Sequence, residues 1–109
     1  MDRLFVALNV VPFEDFREGN KTYELRAKRR GYTRDYVYSG RKVELRKGYN
    51  GKSLWGKIGH VETGDLQRIL RKIGYKKIIP RARSLKEALG NINELLGSQR
   101  EYIAFEVLR

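Results

Sequence analysis

The octapeptide at residues 19–26, Gly-Asn-Lys-Thr-Tyr-Glu-Leu-Arg, combines side chains suited to binding chemistry. Lys21, Glu24 and Arg26 follow Gly19 at spacings of three and two. Glu24 and Arg26 share one face if this segment is a strand, because strand side chains alternate. If a bend after Gly19 turns Lys21 to that face, an ammonium, a carboxylate and a guanidinium converge, and together they can hold a phosphate or a base edge. The alternative is an ion-pair ladder on an exposed strand.

The sequence lacks the residue patterns of metal sites, phosphate-binding loops and serine nucleophiles. There is no cysteine and only one histidine, His60, so neither a disulfide framework nor a structural zinc site is expected. No glycine-rich phosphate loop is present, and no serine has a partner for nucleophilic catalysis except His60. We therefore expect no metal and no cofactor, and we assign His60 an ordinary structural role on a strand.

The basic charge of the chain is concentrated in two segments. Lys plus Arg outnumber Asp plus Glu by 24 to 13, which gives a formal net charge of +11. Residues 17–34 contain seven basic and two acidic groups, and residues 66–83 contain seven basic and none, so these windows hold +12 and the remainder −1. Confinement of the excess to two stretches indicates binding patches for a polyanion, and nucleic acid is the favoured partner. Heat adaptation is an alternative explanation for the abundance of charge, but not for its imbalance.

Aromatic side chains stand among these cations, as the binding of unstacked bases requires. Trp55 is a secondary candidate, because a single tryptophan in a small barrel is more often a core residue. We do not predict which of the two basic segments dominates binding. The residues predicted to contact nucleic acid are Lys21, Glu24, Arg26, Lys28, Arg29, Arg30, Tyr32, Arg34, Trp55, Arg68, Arg71, Lys72, Lys76 and Lys77.

Alternation and turn residues predict which elements position these side chains. Strands are predicted at residues 4–10, 21–26, 41–46, 53–61 and 102–108, with a hairpin joining the third and fourth and a long basic loop at residues 27–40. Gly56 and Gly59 suggest bulges or a close backbone approach.

Helical periodicity and capping residues predict three helices. A short helix is expected from Pro12 to Phe16 with Gly19 as its stop, a second after Asp65, and a third after Ser84 with Glu87 completing a capping box. Strands early and late with helices between them predict an α+β fold, a mixed sheet curled toward a small barrel with flanking helices.

The octapeptide resembles the Gly-x-Lys-x-x-Glu-x-Arg signature of the ASCH domain, a member of the PUA-like superfamily, and the predicted order of elements over residues 3–109 is similar to the family plan. The resemblance implies a small PUA-like mixed β-barrel with a cleft lined by the signature. It also implies binding to RNA, or action on it, so RNA is favoured over DNA. We therefore expect an RNA-binding module that uses a basic cleft around residues 19–26.

An enzyme remains the alternative to a binding module. Some ASCH relatives hydrolyse acetylated cytidine with a Lys, a Thr and a Glu, and another is described as a ribonuclease. Lys21 matches the Lys of the amidohydrolase branch, but Glu24 stands where that branch has its Thr, and the middle insert has no Glu before Glu87. If the protein is an enzyme, Lys21 and Glu24 are the candidate catalytic residues, with Glu24 as a general base.

The length and hydropathy of the chain indicate its domain organisation and its relation to membranes. The 109 residues predict a single domain over residues 1–109. The apolar run near the N-terminus is too short to span a membrane and lacks the charge pattern of a signal peptide. We expect a cytoplasmic protein without a membrane partner, and no oligomeric state is predicted.

Overall fold

The structure is a computed structural model that describes residues 2–97 and 101–109. It contains five strands, three α-helices and a 3-10 turn in the described residues. In order they are β1 (Leu4–Leu8), α1 (Val10–Glu18), β2 (Tyr23–Ala27), β3 (Lys42–Lys47), β4 (Ser53–Gly64), α2 (Leu66–Ile73), a 3-10 turn (Tyr75–Lys77), α3 (Leu85–Leu96) and β5 (Tyr102–Leu108).

The five strands form one mixed sheet in the order β1-β3-β4-β5-β2. Strand β1 pairs with β3 in parallel, and the other three pairs are antiparallel. The sheet curls into a half-barrel, and β1 and β2 are its two edges. The predicted α+β fold with a small curled mixed sheet and flanking helices is confirmed.

Two hydrophobic cores lie on opposite faces of the sheet. The inner core fills the half-barrel and includes Phe13 and Phe16 from α1 together with Val37 from the long loop. The second core lies between the other face and helices α2 and α3. Strand β5 contributes to both, because Ile103 and Phe105 face the half-barrel while its alternate residues face the helices. This strand is therefore buried on both faces.

Helix α1 begins earlier than the sequence predicts. Val10 was predicted to end β1 and Pro12 to begin the helix, whereas the helix starts at Val10 and Pro12 is its third residue. Pro12 is tolerated there because the first-turn amides have no helical acceptor. Helix α1 ends at Gly19, whose φ of 84° is in the left-handed region, as the sequence predicts.

The predicted caps of the other helices are present. Asp65 accepts a hydrogen bond from the Arg68 amide (2.9 Å), and Ser84 accepts one from the Glu87 amide (3.1 Å). None of the helices in the described residues is long and apolar enough to cross a membrane.

Strand β4 extends to Gly64, three residues beyond the prediction, and its pairing with β5 shifts register between Ile58 and Val61. The two glycines near this shift allow close approach. A Cβ on Gly56 would lie 2.5 Å from the Leu108 carbonyl oxygen, and one on Gly59 would lie 2.5 Å from Glu106 Oε1. The predicted bulge and close backbone approach are therefore both observed.

Candidate nucleic-acid-binding cleft

Glu24 lies between two cations at the open seam of the half-barrel. Its Oε1 is 3.3 Å from Lys21 Nζ, and its Oε2 accepts a hydrogen bond from Arg26 Nε at 2.8 Å. Arg26 Nη2 also donates to the carbonyl oxygen of Ala7 on the opposite edge strand (3.0 Å). The three side chains of the octapeptide therefore meet in one cluster, which also connects the two edges of the sheet.

The bend after helix α1 brings Lys21 into this cluster. The carbonyl oxygen of Asp15 accepts hydrogen bonds from the amides of Asn20 (3.0 Å) and Lys21 (3.1 Å), which fixes the chain as it leaves the helix. Lys21 then directs its ammonium inward, where it donates to the Ile78 carbonyl oxygen at 2.5 Å. Strand alternation places Glu24 and Arg26 on one face of β2, and the bend brings the Lys21 ammonium to that face.

Burial dominates the electrostatics of Lys21. The residue is only 6% exposed, and burial lowers the pKa of Lys21, although the charge of Glu24 opposes this shift. Burial acts in the same direction on Arg26, but the charge of Glu24 and then of Tyr32 outweighs it and raises the pKa of Arg26. The guanidinium of Arg26 lies 5.2 Å from the centre of the Tyr32 ring, within cation–π range.

The cluster lines a concave cleft of about 620 Å³. One wall is formed by the end of β1 and the start of α1, the other by α3, and residues 78–81 close one end. Lys21, Glu24 and Arg26 are all among the lining residues, so they do not form a ladder on a convex, exposed strand. The volume falls within the range typical of small-ligand pockets.

Sequence reasoning missed five polar residues of this cleft, namely Asn9, Asp15, Arg81, Asn91 and Glu94. Asp15 is buried and forms a salt bridge with Arg81 (3.0 Å), which connects α1 to the segment before α3. No motif marks these residues, because they come from separate elements that only the fold brings to the octapeptide. The helical phase of α3, which carries Asn91 and Glu94, was the only available signal.

Contrary to the sequence prediction, the cleft is not basic, because it contains equal numbers of cations and anions. Lys21, Arg26 and Arg81 face the carboxylates of Glu24, Asp15 and Glu94, so the lining side chains balance in formal charge. Its floor offers both donors and acceptors, and its charge balance suits an uncharged polar group better than a bare phosphate.

The predicted cations of the long loop lie outside the cleft. Lys28 forms an ion pair with Glu101 (3.3 Å), and Arg34 donates to Thr63 Oγ1 (3.3 Å). Arg29 and Arg30 are exposed and form no ion pair with any described residue. These two guanidiniums are therefore available to a polyanion.

The cations of α2 lie on a different face from the cleft. Arg68 (3.3 Å) and Lys72 (3.1 Å) both pair with the buried carboxylate of Glu62, whereas Arg71 is exposed. Burial alone would raise the pKa of Glu62, but Lys72 and then His60 and Arg68 lower it. His60 also contacts Tyr23 (3.0 Å) and Glu62 (2.8 Å), which fits the structural role predicted for it. Two of the three predicted phosphate contacts on α2 are thus engaged with a carboxylate.

Lys76 and Lys77 lie close to the start of β2. The Lys77 carbonyl oxygen accepts a hydrogen bond from the Thr22 amide (2.9 Å), so the two basic segments of the sequence meet here. Lys76 lines a second, shallower hollow of about 380 Å³ together with Asp15 and Arg81. Both lysines are exposed beside the cleft.

Trp55 is not the core residue that the sequence favours. The side chain is 51% exposed and does not line the cleft. Its partner in register is Glu44, so it lies on the outer face of the sheet, opposite the inner core. Alternation in β4 decides this outcome, because Leu54 packs against the inner core and its neighbour must face the other way.

Fold and site together define a small α+β half-barrel whose cleft is lined by the octapeptide at residues 19–26. No protein-family model matches the sequence, and no curated protein matches it. Three solved structures share the fold. Hypothetical protein PH0355 superposes with a TM-score of 0.81 at 18% identity, covering 98% of each chain. PF0455 from Pyrococcus furiosus has a TM-score of 0.68 at 16% identity, covering 98% of this chain and 96% of its own.

The third structure is a mutant of ZmASCH from Zymomonas mobilis. Its TM-score is 0.66 at 14% identity, and the match covers 96% of this chain and 68% of that one. The protein therefore has an ASCH-like fold, and the resemblance seen in the octapeptide is confirmed at the level of the fold.

Proposed function

We propose that this protein binds single-stranded RNA, with an unpaired base in the cleft and the phosphate backbone on the cations around it. The observation that carries the proposal is the position of Glu24 between Lys21 and Arg26 on the floor of a cleft of about 620 Å³. A strand of RNA presents both an uncharged base edge and a negatively charged backbone. The charge-balanced cleft suits the base edge, and the exposed cations around it suit the backbone.

The hydrogen-bonding capacity of the cleft supports a base as its occupant. An ammonium has three N–H donors, and Lys21 directs two of them to Glu24 and Ile78, which leaves one for a ligand. Glu24 supplies acceptor oxygens, and Asn91 supplies an amide. A nucleobase edge carries both donors and acceptors and can satisfy such a mixed set.

The exposed cations nearby are suited to the backbone. Arg29 and Arg30 follow β2, and Lys76 and Lys77 lie at its start, so basic groups stand at both ends of the strand that carries Glu24 and Arg26. The preference for RNA over DNA, like the cytoplasmic location, comes from the sequence and its ASCH resemblance. The PUA-like superfamily includes RNA-binding members, and this supports the preference for RNA.

The test is binding of a pool of cellular RNA across a salt series, comparing the unmodified protein with Lys21→Met and Glu24→Gln. The affinity is expected to fall with a slope of roughly 0.7 log units per log unit of salt for each single-strand phosphate neutralised. Both cleft variants should weaken binding while leaving that slope unchanged, because they do not contact phosphate. Lys86→Met, an exposed lysine outside the cleft, is the matched control. Binding that is insensitive to salt and to both cleft variants would refute the proposal.

A hydrolase acting on RNA or a nucleoside is the second candidate. The buried Lys21 beside Glu24 favours it, because such a pair can hold and transfer a proton. In the same experiment, chemically altered RNA or released small products that disappear in Lys21→Met would establish catalysis. Intact RNA recovered from the complex supports a binding module.

A further inference from the structure

We infer that the outer face of β1, β3 and β4 is a second contact surface for single-stranded nucleic acid, on which bases stack against aromatic rings and lysines hold the phosphates. This inference takes its ligand class from the proposed function but involves different residues. We call the surface the aromatic face; its members are Arg3, Phe5, Lys42, Arg46, Tyr49, Trp55 and Lys57.

Strand register brings four of these residues into two adjacent rows. Phe5 pairs with Glu44, and Glu44 pairs with Trp55, so the two rings flank β3 in one row. They are separated by two strand spacings, or about 10 Å, a distance that a few nucleotides of an unstacked strand can span. The next row contains Lys42 opposite Lys57.

Two of the three rings, those of Trp55 and Tyr49, are open to solvent, and Phe5 is partly buried. Trp55 is 51% exposed and Tyr49 is 73% exposed, and Tyr49 lies 6.3 Å from Phe5 between ring centres. Among the described helices, α2 and α3 pack on the face formed by β2, β5 and the end of β4, so they leave the aromatic face uncovered. Exposed aromatic rings on one face of a sheet are the arrangement on which single-stranded nucleic acids stack.

The lysines of this face have no counter-charge. Lys42 and Lys57 stand directly opposite each other, and neither forms an ion pair with any described residue. Like charges in directly opposed positions destabilise a sheet, so this pair costs stability in the free protein. Lys42 also lies 5.7 Å from the centre of the Trp55 ring. A phosphate between the two ammonium groups would relieve their repulsion next to the ring on which its base stacks.

The remaining cations hold the face in shape. Arg3 and Arg46 lie over Phe5 at 5.8 and 4.7 Å from its centre, and both bind the buried carboxylate of Glu44 beneath them. Glu44 is thereby neutralised, so the face keeps its positive charge. The face also adjoins the cleft, because Ala7 lines the cleft and pairs with Arg46.

Trp55 is the only tryptophan, so its intrinsic fluorescence reports on this face alone. The experiment titrates the intact protein with a short oligouridylate and with the matching oligodeoxynucleotide. We expect both to quench Trp55 emission, because stacking does not involve the 2′-hydroxyl. Tyr49→Ala and Lys57→Glu should weaken binding by about five- to a hundredfold. Tyr36→Ala, at a half-exposed tyrosine in the long loop, is the control and should not change the affinity.

Lys57→Glu also separates lost binding from lost folding. It replaces a like-charge pair with an opposite-charge pair, so its melting temperature should equal or exceed that of the unmodified protein. A lower melting temperature together with weaker binding would count against the inference.

The two proposals fail in different ways. If Trp55 is not quenched and the face variants bind normally while Glu24→Gln binds weakly, the aromatic face is refuted and the cleft proposal stands. If quenching persists in Glu24→Gln and only the face variants weaken binding, the aromatic face stands and the cleft proposal fails. If the oligouridylate quenches Trp55 emission but the oligodeoxynucleotide does not, base stacking on Trp55 is refuted.

Discussion

Arg26 on one edge strand of the half-barrel donates a hydrogen bond to the carbonyl oxygen of Ala7 on the other edge strand. No ladder of backbone hydrogen bonds joins β1 to β2, so this guanidinium partly takes the place of strand pairing at the seam. Edge strands with unpaired backbone groups are a liability for folded proteins. The same side chain binds Glu24 on the cleft floor, so closure of the fold and assembly of the cleft depend on one residue.

Arg26→Lys should therefore destabilise the fold as well as alter the cleft. An ammonium cannot bridge Glu24 and Ala7 with the geometry of a fork-shaped guanidinium, and a poorly paired buried carboxylate is costly. We expect the free energy of unfolding to fall by about 1–3 kcal/mol, measured by urea denaturation. Arg29→Lys, at an exposed position in the loop, should leave it unchanged. Equal stability of the two variants would show that the seam does not depend on Arg26.

Lys21 should make the protein more stable as the pH rises. Burial lowers the pKa of Lys21 below 10.5, so the folded protein releases this proton before the unfolded chain does. Stability then increases with pH between the folded pKa and 10.5. Lys21→Met should lack this increase, while Lys86→Met should retain it. Melting temperatures measured from neutral pH to pH 10.5 test the difference.

Glu44 should contribute to acid sensitivity with the same sign as Lys21, because its pKa is also lower in the folded protein than in the unfolded chain. The hydrogen bond from Ser53 is the main cause that lowers the pKa of Glu44 to about 2; burial opposes it, and Arg46 and Arg3 reinforce it. The stabilisation is complete above the ordinary value of 4.5 and is lost as the pH falls through about 2. Glu44→Gln should be less stable at neutral pH and show a flatter decline in acid. A decline as steep as that of the unmodified protein would contradict this assignment.

Two glycine substitutions should have opposite effects on stability. Gly56→Ala places a Cβ 2.5 Å from the Leu108 carbonyl oxygen, so the β4–β5 pairing must shift and stability should fall. Gly90 lies within helix α3 with no atom within 4 Å of the added Cβ. Gly90→Ala should therefore stabilise the protein by about 0.5–1 kcal/mol, because alanine restricts the unfolded chain and favours the helix. Thermal unfolding of both variants provides the comparison.

Much of the fold was predictable because its signals are local. Alternation in β5, the caps Asp65 and Ser84, and the stop at Gly19 each depend on residues within a few positions of one another. The predicted boundary between β1 and α1 was wrong because valine, a β-branched residue, favours a strand at positions 10 and 11. They lie in the first turn of a helix whose Phe13 and Phe16 are buried in the inner core. Tertiary burial outweighed local propensity there.

By itself the sequence determined the basic charge, the order of elements and the octapeptide that marks the cleft, since each depends on composition or short spacing. Only the tertiary structure decided that Asp15, Arg81 and Glu94 share the cleft with Lys21, and that Trp55 is exposed on the opposite face of the sheet. These outcomes depend on how the sheet curls and which strands form its edges. That curvature is set by packing between residues far apart in the chain, so no local pattern of residues reveals it.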